Sequence, residues 1–381
     1  MKKVLVVQKR MTHYRVSLFE FLKQRLNQYN IDLILAYGEP SSEEKTKKDD
    51  GEVEWAIKLP TSYFMNGRIC WQPFSHLANQ ADLIVLTHEN KLIFNLIPQW
   101  FYKNKKIVLW GHGENLQKKN KDIRDSFKKI TAKKADWWLG YTEMSHSLIT
   151  ANGFPENRIT ILNNSIDTNK LKKNIESLNK FDVIKFKNKY NIKDVSKVGV
   201  FIGSLYSDKK IEFLLDAVLK IKNKNPNFIF FIAGKGDKEE LVNNFSNKYD
   251  WVHYLGLVKN EDKALLLHSS NIMLNPGLVG LGILDSFVSG TPMFTTDCGL
   301  HSPEISYLKN NVNGVMTRED IDEYVAEVDF YLNNENIISK LISECIKSSN
   351  IYTVENMANN FAEGIHKALQ SPIYRFNLNN R

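Results

Sequence analysis

The chain has 381 residues, 43% hydrophobic and 25% charged, which excludes disordered and fibrous classes and allows two domains of roughly 100–200 residues, each with its own core. Its three cysteines, Cys70, Cys298 and Cys345, are odd in number and far apart, so they form no disulfide framework and no CxxC metal pair; a reducing, cytoplasmic compartment fits them. The net charge of +8 is uneven, with 34 Lys and Arg against 21 Asp and Glu in residues 1–200 and 17 against 22 in residues 201–381, so the front half is the one suited to an anionic partner.

The opening Met1-Lys2-Lys3 is followed by only four apolar residues, Val4–Val7, too few for a signal-peptide core. That segment, Lys3–Val7, reads as a buried strand, and Tyr14–Leu26 as a helix with apolar residues at 3–4 spacing. Further short apolar strands follow (IDLILAY, DLIVLT, KIVLW and Trp137–Tyr141), with a loop-rich interruption at Glu39–Phe74. A helix over Glu143–Asn152 ends at Gly153, and a strand over Ile159–Leu162 closes the first series. Residues 168–195 are polar and rich in Lys and Asn, as suits a crossover between domains. A second series then starts: VGVFIG, a helix over Asp208–Lys224, FIFFIAG, a helix over Lys238–Phe245, WVHYLG, a helix over Glu261–His268, and NIMLNP. The helix Leu281–Ser289, the strand PMFTT and several helices complete the chain. No ~18-residue apolar run exists to span a bilayer.

Strands alternating with helices predict parallel α/β sheets, and two series in tandem predict two Rossmann-like domains facing each other across a cleft. Ligands in such sheets bind beyond the carboxyl ends of the strands. The boundaries read as 1–165, 166–355 and a terminal segment 356–381, whose helix Val354–Leu369 is placed to return to the first domain.

The densest basic run is Lys118–Lys134, KKNKDIRDSFKKITAKK, followed at once by Trp137-Trp138. It suits an anionic membrane face, at ~1 kcal/mol per basic residue, as well as a plain solvated helix. No nucleic-acid motif accompanies it.

The segment Asn271–Asp297 carries the most chemistry. An apolar strand ends at Asn275-Pro276, Gly277, Gly280 and Gly282 follow, and a helix begins. Glycines between a strand and a helix let backbone N–H groups approach an anion at the positive end of the helix dipole. A diphosphate suits that place, with Asp285 one turn further on to accept from ribose hydroxyls. The plain alternative is a tight turn with Asp285 merely exposed.

This segment resembles the signature of glycosyltransferase family 4: Glu-Gly-Phe-Gly, four residues, Glu-Ala, then Gly-x-Pro. Counting back from Gly290-Thr291-Pro292, Asp285 takes the second Glu position and Gly277 the first, and Val279, Gly280 and Leu281 fall on the phosphate-binding turn. Five further segments resemble the family in register. They are Asn164–Asp167, Phe201–Leu205 with Lys209, Ala233–Gly236, Tyr254–Gly256, and Pro303-Glu304-Ile305 with Asn313-Gly314. The resemblance implies the GT-B fold and retaining, metal-independent transfer from a nucleotide sugar, UDP-linked rather than GDP-linked, with no cofactor besides that co-substrate. It places Gly203, Ser204, Lys209, Lys210, Gly234, Gly236, Val258, Gly277, Val279, Gly280, Leu281, Asp285 and Glu304 at the donor. Two positions depart from the pattern: Gly277 lacks the family's Glu side chain, and Ser204 stands in the place of an Arg. Lys210, Arg10 and Arg15 are the cations that would compensate.

In the front half, Leu109–Glu114 follows a strand where the family commonly places a His facing the donor sugar. His112 takes that position and, with Lys209 and Asp285, makes the expected catalytic set. His13, Tyr14 and Arg15, after the first strand, and His88, after a later one, read as acceptor-side; His253 and His268 read as structural. The acceptor implied is a glycan, lipid-linked in surface polysaccharide assembly, which puts the protein in the cytoplasm or on the cytoplasmic face of the inner membrane. Asp320-Ile321-Asp322 reads as a solvated helix face rather than a metal site. Two other readings keep the fold: a nucleotide-sugar 2-epimerase, and a binding subunit of weak activity. A dinucleotide dehydrogenase is disfavoured, because Glu239 stands where the third Gly of the fingerprint belongs.

Overall fold

A computed structural model describes residues 1–46, 48–113, 123–299 and 301–376, with backbone alone at 123–126. It divides into two compact units, Met1–Asp167 joined by the segment from Thr353 onward, and Thr168–Tyr352.

The first unit is built on seven strands: β1 (Lys2–Gln8), β2 (Ile31–Tyr37), β3 (Ile57–Lys58), then, past a small hairpin of β4 (Ser62–Phe64) and β5 (Ile69–Trp71), β6 (Leu83–Thr87), β7 (Lys106–Gly111), β8 (Trp137–Gly140) and β9 (Ile159–Ile161). They pair all-parallel in the order β3-β2-β1-β6-β7-β8-β9. Successive side chains of a strand point to opposite faces, so the apolar run of β1 feeds two cores. Val4 and Val6 join Leu18, Phe19, Leu22 and Trp110 on one face, and Leu5 and Val7 join Phe74, Ile84, Leu86 and Trp138 on the other. The helix Val16–Gln28 buries Leu18, Phe19, Leu22 and Leu26 against the helix Val354–Gln370, which buries Val354, Met357, Phe361 and Ile365. A Cβ at Gly364 would meet Leu139 Cδ2 at 2.5 Å, so this last helix lies directly on the sheet.

The chain end is tied in by a buried charge. Asp136 accepts from the amides of Ile107 (2.8 Å), Tyr374 (2.7 Å) and Arg375 (3.1 Å) and pairs with the Arg375 guanidinium, which also donates to the carbonyls of Gln99 and Tyr102. Arg375 is fully buried.

The second unit has six strands: β10 (Lys197–Ile202), β11 (Phe228–Ala233), β12 (Val252–Tyr254), β13 (Ile272–Leu274), β14 (Met293–Thr296) and β15 (Gly314–Thr317). They are parallel in the order β12-β11-β10-β13-β14-β15. Phe228 and Phe230 pack with Leu214, Val218, Val325 and Val328 from the flanking helices Ile211–Lys224 and Ile321–Leu332.

The strand order of each sheet reverses at one place, between β1 and β6 in the first unit and between β10 and β13 in the second. Loops diverge there at the carboxyl ends, leaving the crevice where open α/β sheets bind ligands.

Local differences from the sequence reading have simple causes. The polar stretch 168–195 holds two helices, Asn169–Glu176 and Lys180–Lys189; one buried residue, Leu171, anchors the first, too little apolar pattern to stand out. His13–Arg15 is a separate 3₁₀ turn ahead of the first helix, and Ser207–Lys209 is another ahead of the helix Ile211–Lys224. The interruption at Glu39–Phe74 contains β3 and the hairpin.

Arg375→Ala leaves Asp136 buried with its amide partners but no counter-charge, and we expect it to lower unfolding stability by about 3 kcal/mol. Urea unfolding of both proteins measures this; an unchanged midpoint would show that the tail is not fastened by this pair.

Candidate functional site

In the second unit, the loops after β10 and β13 meet at the reversal point. The loop after β10, Gly203–Lys210, is enclosed by glycine on two sides. A Cβ at Gly234 would sit 1.8 Å from the Gly203 carbonyl oxygen, and Gly234 holds φ +148°. A Cβ at Gly236 would sit 2.6 Å from the Leu205 carbonyl oxygen. On the other side, a Cβ at Gly277 would sit 2.3 Å from the Asp208 carbonyl oxygen and 2.5 Å from Lys209 Cα. The place where the signature that this segment resembles carries a Glu side chain is thus filled by the backbone of the Lys209 turn.

This contact sets the glycine turn. The Leu278 amide donates to the Asp208 carbonyl at 2.8 Å, and the Leu278 carbonyl accepts from Lys209 Nζ. The Val279 amide donates to His301 Nδ1 at 3.0 Å. One peptide, 278–279, is therefore held at both its oxygen and its N–H. The amides of Gly280, Leu281 and Gly282 have no acceptor among the described residues, and they open the helix Gly282–Ser289. Three unpaired donors at the positive end of a helix dipole are an arrangement suited to an anion.

Several predicted donor residues sit around it with partners of their own. Val279 is a correction: its amide, expected among the phosphate donors, is committed to His301. Lys210, expected to replace the missing Arg, is a second correction: it occupies a left-handed position (φ +52°) and is paired with Glu319. Arg10 is held by Asp49 at 2.8 Å and Asp50 at 3.0 Å, so it is no spare cation either. Asp285 bonds Lys263 at 2.7 Å through Oδ2. Ser204 is exposed, Gly203 and Val258 are half-buried, and Glu304 is buried in the short turn Pro303–Tyr307. Burial pushes the Lys209 ammonium down to about 8, against the opposing pull of Cys298 and Asp208.

In the first unit, His112 stands at the end of β7 between Gly111 and Gly113, and Gly113 is in the left-handed region (φ +85°). Its ring meets Tyr141 edge-on at 4.4 Å. The imidazole is open to solvent yet surrounded by protein, which, with the charges of Lys128 and Arg15, pushes its pKa down to about 4. It is therefore neutral at pH 7. Arg15 lies 5.4 Å from the Trp110 ring and 5.7 Å from the Tyr141 ring, stacked against the same wall. Tyr14 is half-buried beside it, and His13 is exposed, with Nδ1 3.1 Å from the Asp49 carbonyl. His88 is a correction. It is buried, with Nε2 2.9 Å from Thr131 Oγ1 and its ring edge-on to Trp138, and burial pushes its pKa down to about 3; it is a core residue, not an acceptor contact.

The crevice of the first unit is a polar pocket of about 700 Å³ lined by Lys9, Ser42, Glu44, Tyr63, Asn66 and Lys91, among others. Lys9 follows β1 and Lys91 follows β6, the two strands at the reversal point. Lys9 is buried and paired with Glu44. Burial opposes the charge on Glu44, but Lys9 and Ser41 bond it and hold its pKa down to about 2.

Sequence reasoning missed Lys9, Lys91, Lys263 and His301. The two pocket lysines and His301 each lie one to five residues past a strand end, a signal that was available; the pairing of Lys263 with Asp285 had none. In the basic run, Glu114 and 118–122 lie outside the described residues. Trp137 and Trp138 are buried in β8, so the aromatic pair does not flank a basic surface, whereas Phe127 and Ile130 are exposed. Among the described residues no cluster of three metal-ligand side chains occurs, and no helix is long and apolar enough to cross a membrane.

Because backbone occupies the space beside Gly277, Gly277→Ala must displace the Lys209 turn. We expect a loss of about 1–3 kcal/mol from overpacking and a weaker hold on anions. Thermal unfolding and phosphate titration test it; wild-type values for both would show that the two loops are not in close contact.

Residues 196–334 match the family described as Glycosyl transferases group 1. An uncharacterized glycosyltransferase of Methanocaldococcus jannaschii is 26% identical over 167 residues, 42% of this chain and 41% of that protein. One of Haemophilus influenzae is 24% identical over 286 residues, 73% of this chain and 74% of that protein. Among solved structures, Anabaena HepE in complex with UDP aligns at TM-score 0.71 with 14% identity, over 96% of this chain and 100% of that one. The lipopolysaccharide outer core galactosyltransferase WaaB aligns at 0.63 with 14% identity, over 96% and 99%. Residues 196–334 are a Glycosyl transferases group 1 domain, set in a chain with the two-Rossmann GT-B fold of glycosyltransferases.

Proposed function

We propose that the protein is a retaining glycosyltransferase that moves a sugar from a UDP-linked donor to a lipid-linked glycan in surface polysaccharide or lipopolysaccharide assembly. The observation that carries this reading is the trio of unpaired amides at Gly280–Gly282 beside Lys209. Breaking a sugar–diphosphate bond builds charge on the leaving diphosphate, and fixed donors aimed at it supply several kcal/mol. Asp285, with Lys263 holding one oxygen, keeps the other for a ribose hydroxyl to donate to. His112, neutral at pH 7, donates to a sugar hydroxyl rather than acting as a charged acid. The polar pocket at Lys9 and Lys91, with the loop His13–Arg15, takes the glycan acceptor. HepE was solved with UDP and WaaB is named for lipopolysaccharide, which supports the donor and the product class.

One observation favours a second reading. The backbone beside Gly277 leaves no room for a carboxylate, which suits a subunit that binds nucleotide sugar without turning it over. Binding and turnover separate the two.

Thermal unfolding with UDP, GDP, ADP and CMP in EDTA tests the donor site. UDP at ~100 times its dissociation constant adds ~2.7 kcal/mol to stability, and we expect a raised midpoint for UDP alone. Lys209→Ala is expected to lower kcat by about 10²–10³-fold, as loss of a charge-stabilising donor does. Binding without turnover against any lipid-linked glycan would leave the binding subunit as the reading, and no binding would end both.

The basic face of the first unit, with Phe127 and Ile130 exposed next to Lys128 and Lys129, is proposed to rest on an anionic membrane. Flotation with phosphatidylglycerol vesicles should recover the protein and lose it with Phe127→Glu and Ile130→Glu together. Equal recovery of the double variant would place membrane contact elsewhere.

A further inference from the structure

His301 is the least expected member of the donor turn. Its Nδ1 accepts from the Val279 amide at 3.0 Å, and its Nε2 lies 2.8 Å from the Thr296 carbonyl oxygen. An amide N–H only donates and a carbonyl only accepts, so these two contacts fix one protonation state: neutral imidazole, with the proton on Nε2. The same peptide is held at its other end by Lys209, through the Leu278 carbonyl. His301 thus closes a clamp immediately ahead of the three amides that have no acceptor among the described residues.

We propose that His301 is the positioning residue of the donor turn and that its neutral state makes nucleotide binding sensitive to acid, an inference that rests on the donor site proposed above. Protonation puts an N–H on Nδ1, facing the Val279 N–H. Donor then opposes donor, and the peptide must turn away, taking Gly280–Gly282 out of aim. The charged groups facing His301 are Lys209 and Lys210 from the loop after β10 and Asp297 from the loop after β14, and the Cys298 sulfur lies 3.6 Å from its Nε2. Burial first, and then the two lysines, lower its pKa, while the Thr296 carbonyl and Asp297 oppose them. A His held below its ordinary value stays neutral at pH 7, and the clamp is lost only as pH falls past that lowered value. A bound diphosphate would attract an imidazolium, so tighter binding in acid is the opposite and distinguishable outcome.

The test compares UDP affinity of wild type, His301→Ala and His301→Asn between about pH 7.5 and about pH 5. Asn has an oxygen that accepts from Val279 and does not titrate in this range. Loss of one hydrogen bond in His301→Ala is expected to weaken UDP about tenfold at pH 7.5. His301→Asn should stay near wild type there and fall less than wild type on acidification; titration of UDP itself is common to all three and cancels. A pH profile of His301→Asn identical to wild type, or tighter wild-type binding in acid, overturns the proposal. Long-range ¹H–¹⁵N spectra of wild type without ligand give a second readout. A proton on Nδ1 at pH 7.5 overturns the clamp even where UDP binds, whereas failure of wild type to bind UDP at any pH overturns the donor site and the inference together.

Discussion

The close packing of two loops at Gly277 is the constraint on which the candidate site of the second unit depends. The turn at Asp208–Lys209 lies so near Gly277 that no side chain fits between them, and the loop leading to it is pressed from the other side by Gly234 and Gly236. A loop fixed by backbone contact on both sides has few ways to move, because interiors are close-packed and yield little. Lys209 and the peptide 278–279 inherit their positions from that contact. The open amides at Gly280–Gly282 follow, since the chain leaves the clamp already directed into the helix Gly282–Ser289.

The two sheets solve the same problem with different chemistry. Each reverses strand order once, and each collects its distinctive residues on the loops flanking that reversal. In the second unit these loops offer backbone donors and one lysine, a surface for a highly charged, compact group. In the first unit they offer Lys9 and Lys91, which line a polar pocket together with Glu44, from the segment after β2, and Tyr63, from the hairpin. Paired charges of both signs and an aromatic ring match a hydroxyl-rich ligand, which both donates and accepts, better than a simple anion.

Much of this was legible in the sequence, and the failures have identifiable causes. The alternation of apolar strands and amphipathic helices predicts both sheets, because parallel strands buried on both faces read as unbroken apolar runs. Gly277, Gly280 and Gly282 before a helix mark a tight turn, and a turn with open amides leads into the helix Gly282–Ser289. Partner choice was not legible. Val279, Lys210 and Asp285 each have a partner that lies far along the chain (His301, Glu319 and Lys263), brought near only by the fold. His88 shows the same limit from the other side: a His just past a strand reads as accessible until Thr131 and Trp138 are found packed on it. The helices in 168–195 escaped notice because a helix resting on a single buried leucine leaves little periodicity to detect.

The absence of an Arg at Ser204 makes physical sense in this setting. Burial already draws Lys209 towards its neutral form, and Lys210 lies beside it, answered by Glu319. A guanidinium at the exposed Ser204 would add a third positive charge next to these two lysines, and like charges repel. Backbone amides avoid that difficulty. They carry partial rather than full charge, they need no counter-ion when the site is empty, and the turn orients them before any ligand arrives. The site therefore trades a long-range cation for short-range donors. A site of this kind would depend on the geometry of the turn as well as on charge, which gives the clamp at Val279 and the closeness at Gly277 their weight beside Lys209.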